Sequence, residues 1–583
     1  MAPAARRANL LRLLPSLPIL DWGRRYNRDT LVSDVVAAII VTIMLIPQSL
    51  AYALLAGLPP QVGLYASVLP LVAYALFGSS MTLAVGPVAV ISLMTASALA
   101  PLAAAGSADY LALAVLLALL SGVILLLAGV LRLGFLAYFL SHSVISGFIS
   151  GSALLITLGQ LKYLLGAPLP SGSALDILNV LPDALAHINP TAAAIGFSAI
   201  VFLVFARSWL PRMLMALGVG KAASELLGRL APMLSVVIAT AYSALNQVDQ
   251  SAQVSIVGAV PAGLPGLSVP GIDMQVLRAL ALPALLISLV GFVESVSVAQ
   301  SLALKRGERL SPNKELIGIG VANMASAISG GFPVTGGFAR SVVNFDAGAR
   351  SPAAGIVSAI VMSIVIVSMT RWFHYLPHAV LAATIIVAVL SLVDLKAISE
   401  TWRYDRADAV AMLLTFAGVL LLGVEEGILV GVAMSLAVLV WRSSHPHMAV
   451  VGRVPGSEHF RNIDRHEVQT LPGLIALRVD ESLYFANAQV VEAKIERLVQ
   501  EHPDTRCLLL IMSAVNQLDT TALQMLIQLE ASLSARGVTL QFAEIKGPVL
   551  DKLKSSELGA KMRDRIFLST HQAFNAFAPQ AHR

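Results

Sequence analysis

From Leu31 to about Trp441 the chain runs through one apolar stretch after another, most of them near the length a helix needs to cross a bilayer. A hydrocarbon core about 30 Å thick takes about 20 apolar residues in a helix. Inside lipid every backbone N–H and C=O must find its partner within the protein, and a helix provides that partner locally. Spans are expected at 32–54, 63–77, 87–103, 109–130, 143–165, 190–207 and 230–246. A second set is expected at 277–304, 313–330, 337–347, 351–370, 376–393, 407–422 and 425–442. The reading is a polytopic α-helical membrane protein of about fourteen spans in two sets of seven, with a polar segment after His445.

Charge follows the same pattern. Charged residues make up 13% of the chain, against roughly 25% in soluble domains. Arg6, Arg7, Arg12, Arg24, Arg25 and Arg28 precede the first span, and no small-residue cleavage site follows a short apolar core. Residues 1–30 therefore read as a cytoplasmic N-terminal segment and not as a signal peptide. Basic residues recur in alternate loops: Arg207 to Arg229 with Arg212 and Lys221, Lys305 to Lys314 with Arg306 and Arg309, Lys396 to Arg406, and Arg442 onward. The intervening loops 166–189 and 247–273 hold Asp and almost no Lys or Arg. This positive-inside pattern puts both termini in the cytoplasm of a multi-pass protein of the inner (plasma) membrane. It also argues against the nucleic-acid partner that a net charge of +5 would suggest, because the basic residues lie between apolar runs and form no single patch. With Cys507 as the one cysteine and no Walker loop, neither a metal cluster, a cofactor, an enzyme activity nor direct ATP drive is expected.

Two spans are interrupted. Leu83 to Ser92 contains Gly86-Pro87, which breaks a helix interior but suits the first turn of one. Gly330-Gly331-Phe332-Pro333-Val334-Thr335-Gly336-Gly337-Phe338-Ala339-Arg340-Ser341 predicts an extended approach and a helix starting near Gly337 or Phe338. Each is the third span of its set. Paired discontinuities at matching positions point to a transport site between inverted repeats. An odd number of spans per repeat inverts the second copy, so both half-helix N-termini aim at the midplane and favour an anion.

Arg340 opens the second half-helix, where a charge is costly unless it faces a site. It is expected to bind the anion directly, with snorkelling to the interface or pairing with Asp346 as the alternatives. Glu294 is the only ionisable residue from Ala281 to Leu304, with Ser297 and Ser301 on nearly the same face and Gln300 close by. It is a candidate for carrying a proton or helping to hold a sodium ion, with balancing of Arg340 or a purely structural role as alternatives. In the first set Gln48 stands at a similar depth beside Pro47, as a site residue or as interhelical glue. Asp34 reads as a helix cap or interfacial residue, and Glu425 and Glu426 as outer-loop residues.

Together these residues resemble the sulfate permease (SulP) family. The resemblance is carried by Ile46-Pro47-Gln48-Ser49-Leu50-Ala51-Tyr52-Ala53, Ala56-Gly57-Leu58-Pro59-Pro60, Gly63-Leu64-Tyr65-Ala66-Ser67, Phe77-Gly78-Ser79-Ser80, Val85-Gly86-Pro87 and Gly337-Phe338-Ala339-Arg340-Ser341. It implies core and gate subdomains, elevator-like alternating access and a homodimer. The implied substrate site takes Gln48, Tyr52, Val88, Ala89, Phe338, Ala339, Arg340 and Ser341, with Glu294 at the coupling position. Val62 stands where the family often has Tyr, and Met81 where it usually has Lys or Arg. The missing cation tilts the expected substrate from sulfate toward bicarbonate or a C4-dicarboxylate.

The transport domain is expected over 31–443, a linker over 444–470, an α/β domain over 471–575 and a tail over 576–583. Gly473 to Val479, Cys507 to Met512 and Val538 to Ala543 read as buried strands, and Asn487 to Gln500 and Thr520 to Ala535 as amphipathic helices. This segment resembles the STAS domain that the family shares with anti-sigma-factor antagonists. Leu518-Asp519-Thr520-Thr521 matches the loop where those antagonists carry a phosphorylatable Ser, so Thr520 is either a regulatory site or an N-terminal cap. The expected tasks of the domain are dimer contact, regulation or binding of a cytoplasmic protein. The whole reads as a secondary anion transporter driven by H+ or Na+, with a nucleobase-type permease of the same fold or a membrane-anchored solute sensor as alternatives.

Overall fold

The structure, a computed structural model, describes residues 18–581 apart from 139, 140, 171, 219, 221–223, 225–227, 229, 262, 265 and 267–272. Arg6, Arg7, Arg12, Lys221 and Arg229, which counted toward the inside charge, lie outside the described residues. The chain divides into two units, Met1–Ser435 and Leu436–Arg583.

Polar side chains start the long helices of the first unit. Asn27 accepts from the Thr30 N–H and opens α1, Arg28–Leu55. Ser107 and Ser141 do the same for α5, Ala108–Val130, and α6, His142–Leu165. Capping of this kind satisfies N–H groups that a helix start otherwise leaves open. Between α1 and α5 lie α2, Pro60–Tyr65, α3, Leu69–Phe77, β1, Val85–Gly86, and α4, Ala89–Leu99. After α6 come α7, Pro190–Ser208, and α8, Ala231–Asn246. The second set is α9, Met274–Arg306, α10, Pro312–Ile328, β2, Thr335–Gly336, α11, Phe338–Asp346, α12, Ala353–Ser368, α13, His378–Leu390, α14, Arg406–Leu421, and α15, Val424–Ser444.

Each expected span has helix at its place, and among the described residues eight helical segments are long and apolar enough to cross a bilayer. The second expected span is broken into α2 and α3. The third spans of both sets are half-length, at 11 residues for α4 and 9 for α11. The loop 166–189 holds a further helix, Ala174–Leu185, started by a capping box between Ser173 and Asp176.

The two sets interleave. Helix α10 packs against α5 and α3, α12 against α1, and α14 against α6. Small residues permit the closest approach: a Cβ on Gly122 of α5 would stand 2.8 Å from the Gly320 carbonyl oxygen of α10.

Asp34 differs from its expected role. It does not cap its own helix, which Asn27 starts, and it is fully buried. Its Oδ1 accepts from the N–H groups of Arg350 (2.7 Å) and Ser351 (3.1 Å), and its Oδ2 from the Ser351 hydroxyl (2.5 Å). It therefore holds the turn that leads into α12, in the other set. Glu425 and Glu426 lie in the first turn of α15.

The second unit is a six-stranded sheet in the order β4-β3-β5-β6-β7-β8. Strands β5, Leu474–Val479, β6, Cys507–Ile511, β7, Thr539–Ala543, and β8, Ile566–Phe567, run parallel. Helices α16, Ala488–Glu501, and α17, Thr520–Ala535, fall where the periodicity places them. Residues along β6 alternate between two layers: Leu508 and Leu510 join Ile495 and Leu526, whereas Leu509 and Ile511 join Ala573 of α18, Thr570–Ala581. Residues 444–470, expected as linker, carry the antiparallel strands β3, Met448–Arg453, and β4, Phe460–Asn462.

Candidate functional site

Strands β1 and β2 pair antiparallel, Val85 with Gly336 and Gly86 with Thr335. This two-residue ladder joins one interrupted span of each set and fixes the starts of α4 and α11 beside each other. Neither half-helix receives a side-chain cap at its N-terminal residue, Val88 or Gly337. Their first N–H groups, with the partial positive charge of a helix start, remain available to a ligand.

A cavity of about 50 Å³ lies at these ends, lined by Gln48, Tyr52, Val88, Ala89, Glu294, Phe338, Ala339 and Arg340, with Ala388, Val389 and Leu392 of the α13 region. Arg340 is 2% exposed, and its Nη1 and Nη2 have no hydrogen-bond partner. It neither snorkels nor spends these nitrogens on Asp346. Backbone without side chains makes room for it: a Cβ on Gly86 would stand 2.6 Å from Nη1, and one on Gly337 would stand 2.8 Å from Nη2. A buried guanidinium fork with unused donors is suited to two-point binding of an oxyanion. Gln48 and Tyr52 are 6% and 8% exposed and form the α1 wall of the cavity.

Glu294 is half-buried and borders this cavity on one side. On the other it borders a crevice of Val90, Ile145, Phe148, Ile149, Val290, Val293 and Ile428. Ser297 and Ser301 do not join it. Both are exposed and donate along their own helix, to the carbonyls of Val293 (2.7 Å) and Ser297 (2.9 Å).

Ser341 stands apart from the cavity lining. Its hydroxyl donates to the Gly337 carbonyl (2.7 Å) and accepts from the Ala84 N–H (3.0 Å), tying α11 to the approach of β1.

Several residues that the sequence reading passed over build the site from behind. The Gly336 N–H donates to the Ser295 hydroxyl at 2.8 Å, and the Ser295 and Thr335 hydroxyls lie 2.6 Å apart. Thr335 donates on to the Gly291 carbonyl at 2.6 Å. Asn323 brackets Val334 through both its backbone groups. The Ser295, Thr335 and Gly291 bonds fasten β2, and so the start of α11, to the helix that bears Glu294, and the Asn323 bonds fasten the residue before β2 to α10. Glu315 of α10 is fully buried and accepts from Tyr74 Oη (2.7 Å), the Ser79 hydroxyl (2.6 Å), and the N–H groups of Ser79 (2.8 Å) and Ser80 (3.0 Å). The signals were faint: Ser295 adjoins Glu294, Thr335 lies in the glycine-rich loop, and Glu315 looks like an ordinary first-turn acid.

In the second unit Asp519, not Thr520, caps α17, accepting from the Ala522 N–H at 2.8 Å. Thr520 is the exposed first residue of that helix. Among the described residues no group of three or more His, Cys, Asp or Glu side chains is placed to hold a metal ion.

Residues 31–415 match the sulfate permease family, and residues 465–573 match the STAS domain. The chain is 35% identical to "Sulfate transporter 4.1, chloroplastic" of Arabidopsis thaliana, over 97% of this chain and 83% of that one. It is 34% identical to "High affinity sulfate transporter 1" of Stylosanthes hamata, over 97% and 86%. Among solved structures, the murine Solute Carrier 26 family member A9 anion transporter in its inward-facing state superposes with a TM-score of 0.87 at 25% identity, over 98% of this chain and 95% of that one.

Proposed function

The chain belongs to the sulfate permease family, a family of transporters and not of enzymes, and from that premise we propose that it is a secondary active carrier of a small oxyanion. The observation that carries the reading is the buried Arg340 fork, with both terminal nitrogens unused, beside two uncapped half-helix starts. The anion binds between the start of α4, at Val88 and Ala89, and the start of α11, at Phe338 to Arg340. Gln48 and Tyr52 close the α1 side. Sulfate is the first substrate to test, since curated relatives carry that name. Bicarbonate and a C4-dicarboxylate follow.

Glu294 supplies the coupling. Its carboxylate shares the cavity with Arg340, so its negative charge stands close to any anion held there. A proton or sodium ion taken up by Glu294 neutralises the charge that repels the anion beside Arg340, which ties uphill movement of one to downhill movement of the other. Translocation is elevator-like: the half-helices and the α1 wall carry the bound anion past the remaining spans. The working unit is a homodimer in the inner (plasma) membrane with both termini in the cytoplasm. The STAS domain provides regulation or a protein contact there, with exposed Thr520 as the modification candidate.

The test is uptake of labelled sulfate, bicarbonate and succinate into proteoliposomes, with and without an inward proton or sodium gradient, for the wild type and Glu294→Gln. Gradient-driven accumulation of one anion, lost in the variant, supports the reading. Folded protein that moves none of the three shifts weight to a solute sensor and sinks it.

A further inference from the structure

Two buried carboxylates play no part in that mechanism, and each has an ordered set of partners from the opposite repeat. Glu315, in the second set, receives Tyr74 Oη, the Ser79 hydroxyl and two successive N–H groups, those of Ser79 and Ser80, in the first set. Asp34, in the first set, receives the successive N–H groups of Arg350 and Ser351 and the Ser351 hydroxyl, in the second. Both side chains are fully buried, and neither has an ion-pair partner among the described residues. Burying a carboxylate is costly, and here hydrogen-bond donors alone offset the cost. A hydrophobic pair would hold helices together as well, so the pattern calls for a reason beyond adhesion.

The location of the two clamped turns supplies one. Ser80, held by Glu315, accepts in turn from the Leu83 N–H at 3.2 Å, and Leu83 and Ala84 lead into β1. The Ala84 carbonyl then accepts from the Gly337 N–H at the start of α11. Glu315 thus fixes the strand that places the α4 start and the glycine under Arg340. Asp34 fixes the turn just past the end of α11, and it sits on α1, about four turns before Gln48 and about five before Tyr52. It therefore ties the helix that carries Arg340 to the helix that carries the opposite wall. Resting on the reading of the cavity as an anion site, we infer that Glu315 and Asp34 are its positioning residues: each repeat uses one buried carboxylate to hold the other repeat's half-helix segment at binding distance.

The full-length carrier in detergent tests this with anion binding and proteoliposome uptake, both expressed per folded molecule, using whichever of sulfate, bicarbonate or succinate the wild type accumulates. Glu315→Ala and Asp34→Ala are expected to raise the apparent Kd and KM about tenfold or more while maximal flux per folded molecule stays within about threefold. Glu315→Gln and Asp34→Asn keep one acceptor oxygen and should recover most of the affinity. Where the alanine variants do not fold, Ser79→Ala and Ser351→Ala remove one donor each and should raise Kd by a few-fold. Unchanged Kd in every folded variant, with only the yield or thermal stability reduced, overturns the inference and leaves the carboxylates as plain structural bonds. Arg340→Ala separates the two claims. If it abolishes binding while the clamp variants bind normally, only the inference fails. If Arg340→Ala binds like the wild type, or the wild type accumulates none of the anions, the site reading fails and takes the inference with it.

Discussion

Gly86 and Arg340 meet where the two halves of the chain cross, so closely that a side chain at position 86 would begin 2.6 Å from the guanidinium Nη1. Gly86 also holds a φ of +157°, which an L side chain rarely adopts, and the neighbouring Gly337 leaves room of its own for the guanidinium, since a Cβ there would stand 2.8 Å from Nη2. Gly86→Ala is therefore expected to push Arg340 out of the cavity and to weaken anion binding by at least about tenfold, or ~1.4 kcal/mol. Equilibrium binding to purified carrier measures it. Wild-type affinity in the variant would show that the guanidinium does not need this position.

Thr335→Val keeps the shape and removes the hydroxyl that joins Ser295 to the Gly291 carbonyl. Leaving those buried groups short of a partner should cost about 1–3 kcal/mol and loosen β2 from α9. Thermal unfolding should fall and uptake should fall with it, whereas Thr335→Ser should restore both. A valine variant as stable and active as the wild type would mean that the hydroxyl chain is dispensable.

The half-helices were legible because their signals are backbone signals. Gly86-Pro87 and the run from Gly330 to Gly337 cannot sit in helix interiors, whatever surrounds them. Arg340, Glu294 and Gln48 could be found because a polar residue inside an apolar run is conspicuous, Tyr52 came only with the family resemblance, and the structure brings all four to one cavity. Helical spacing misled where it was asked for a partner. It groups Ser297 with Glu294, but β2 approaches α9 on the side of Gly291 and Ser295. Asp34 and Glu315 stood near span ends, where an acid usually needs no explanation, and their partners lie in the other set. Strands β3 and β4 were hidden among polar residues because they lie at one side of the sheet and are only partly buried. Asp519, and not Thr520, takes the capping role because it stands just before the helix with extended backbone, from which its carboxylate meets the Ala522 N–H.

Asp480 gives a pH-dependent prediction outside the membrane unit. Burial alone would raise its carboxyl, but hydrogen bonds from Arg478 and His447 outweigh that and hold it below its ordinary 3.8. A folded value below the unfolded one means the stabilisation is fully present above 3.8 and is lost as the pH falls through the folded value. Solvent reaches the pair, so the gain is under about 1 kcal/mol. Hydrogen exchange of β3 and β5 in the full-length protein should be faster in Asp480→Asn at neutral pH, and the difference should vanish in acid. A difference that persists below the folded value would assign it to shape and not to charge.

Cys507 is the chain's single cysteine, lies 1% exposed, and begins β6 between β5 and β7. Burial pushes its thiol up to about 12, with Arg565 opposing in part. It should resist a thiol-reactive maleimide near pH 8 until the sheet opens, so its labelling rate reports the opening of this unit. That gives a measure of the buried Glu530, which is 2% exposed and pairs with Lys561 and Arg565. Glu530→Ala removes charge-assisted bonds worth about 1.5–3 kcal/mol. Labelling of Cys507 should then speed up roughly 10- to 100-fold, provided opening and closing are fast against the reaction. Equal rates in the two proteins would mean that the Glu530 cluster stays formed in the open state that exposes Cys507, or contributes nothing to keeping it closed.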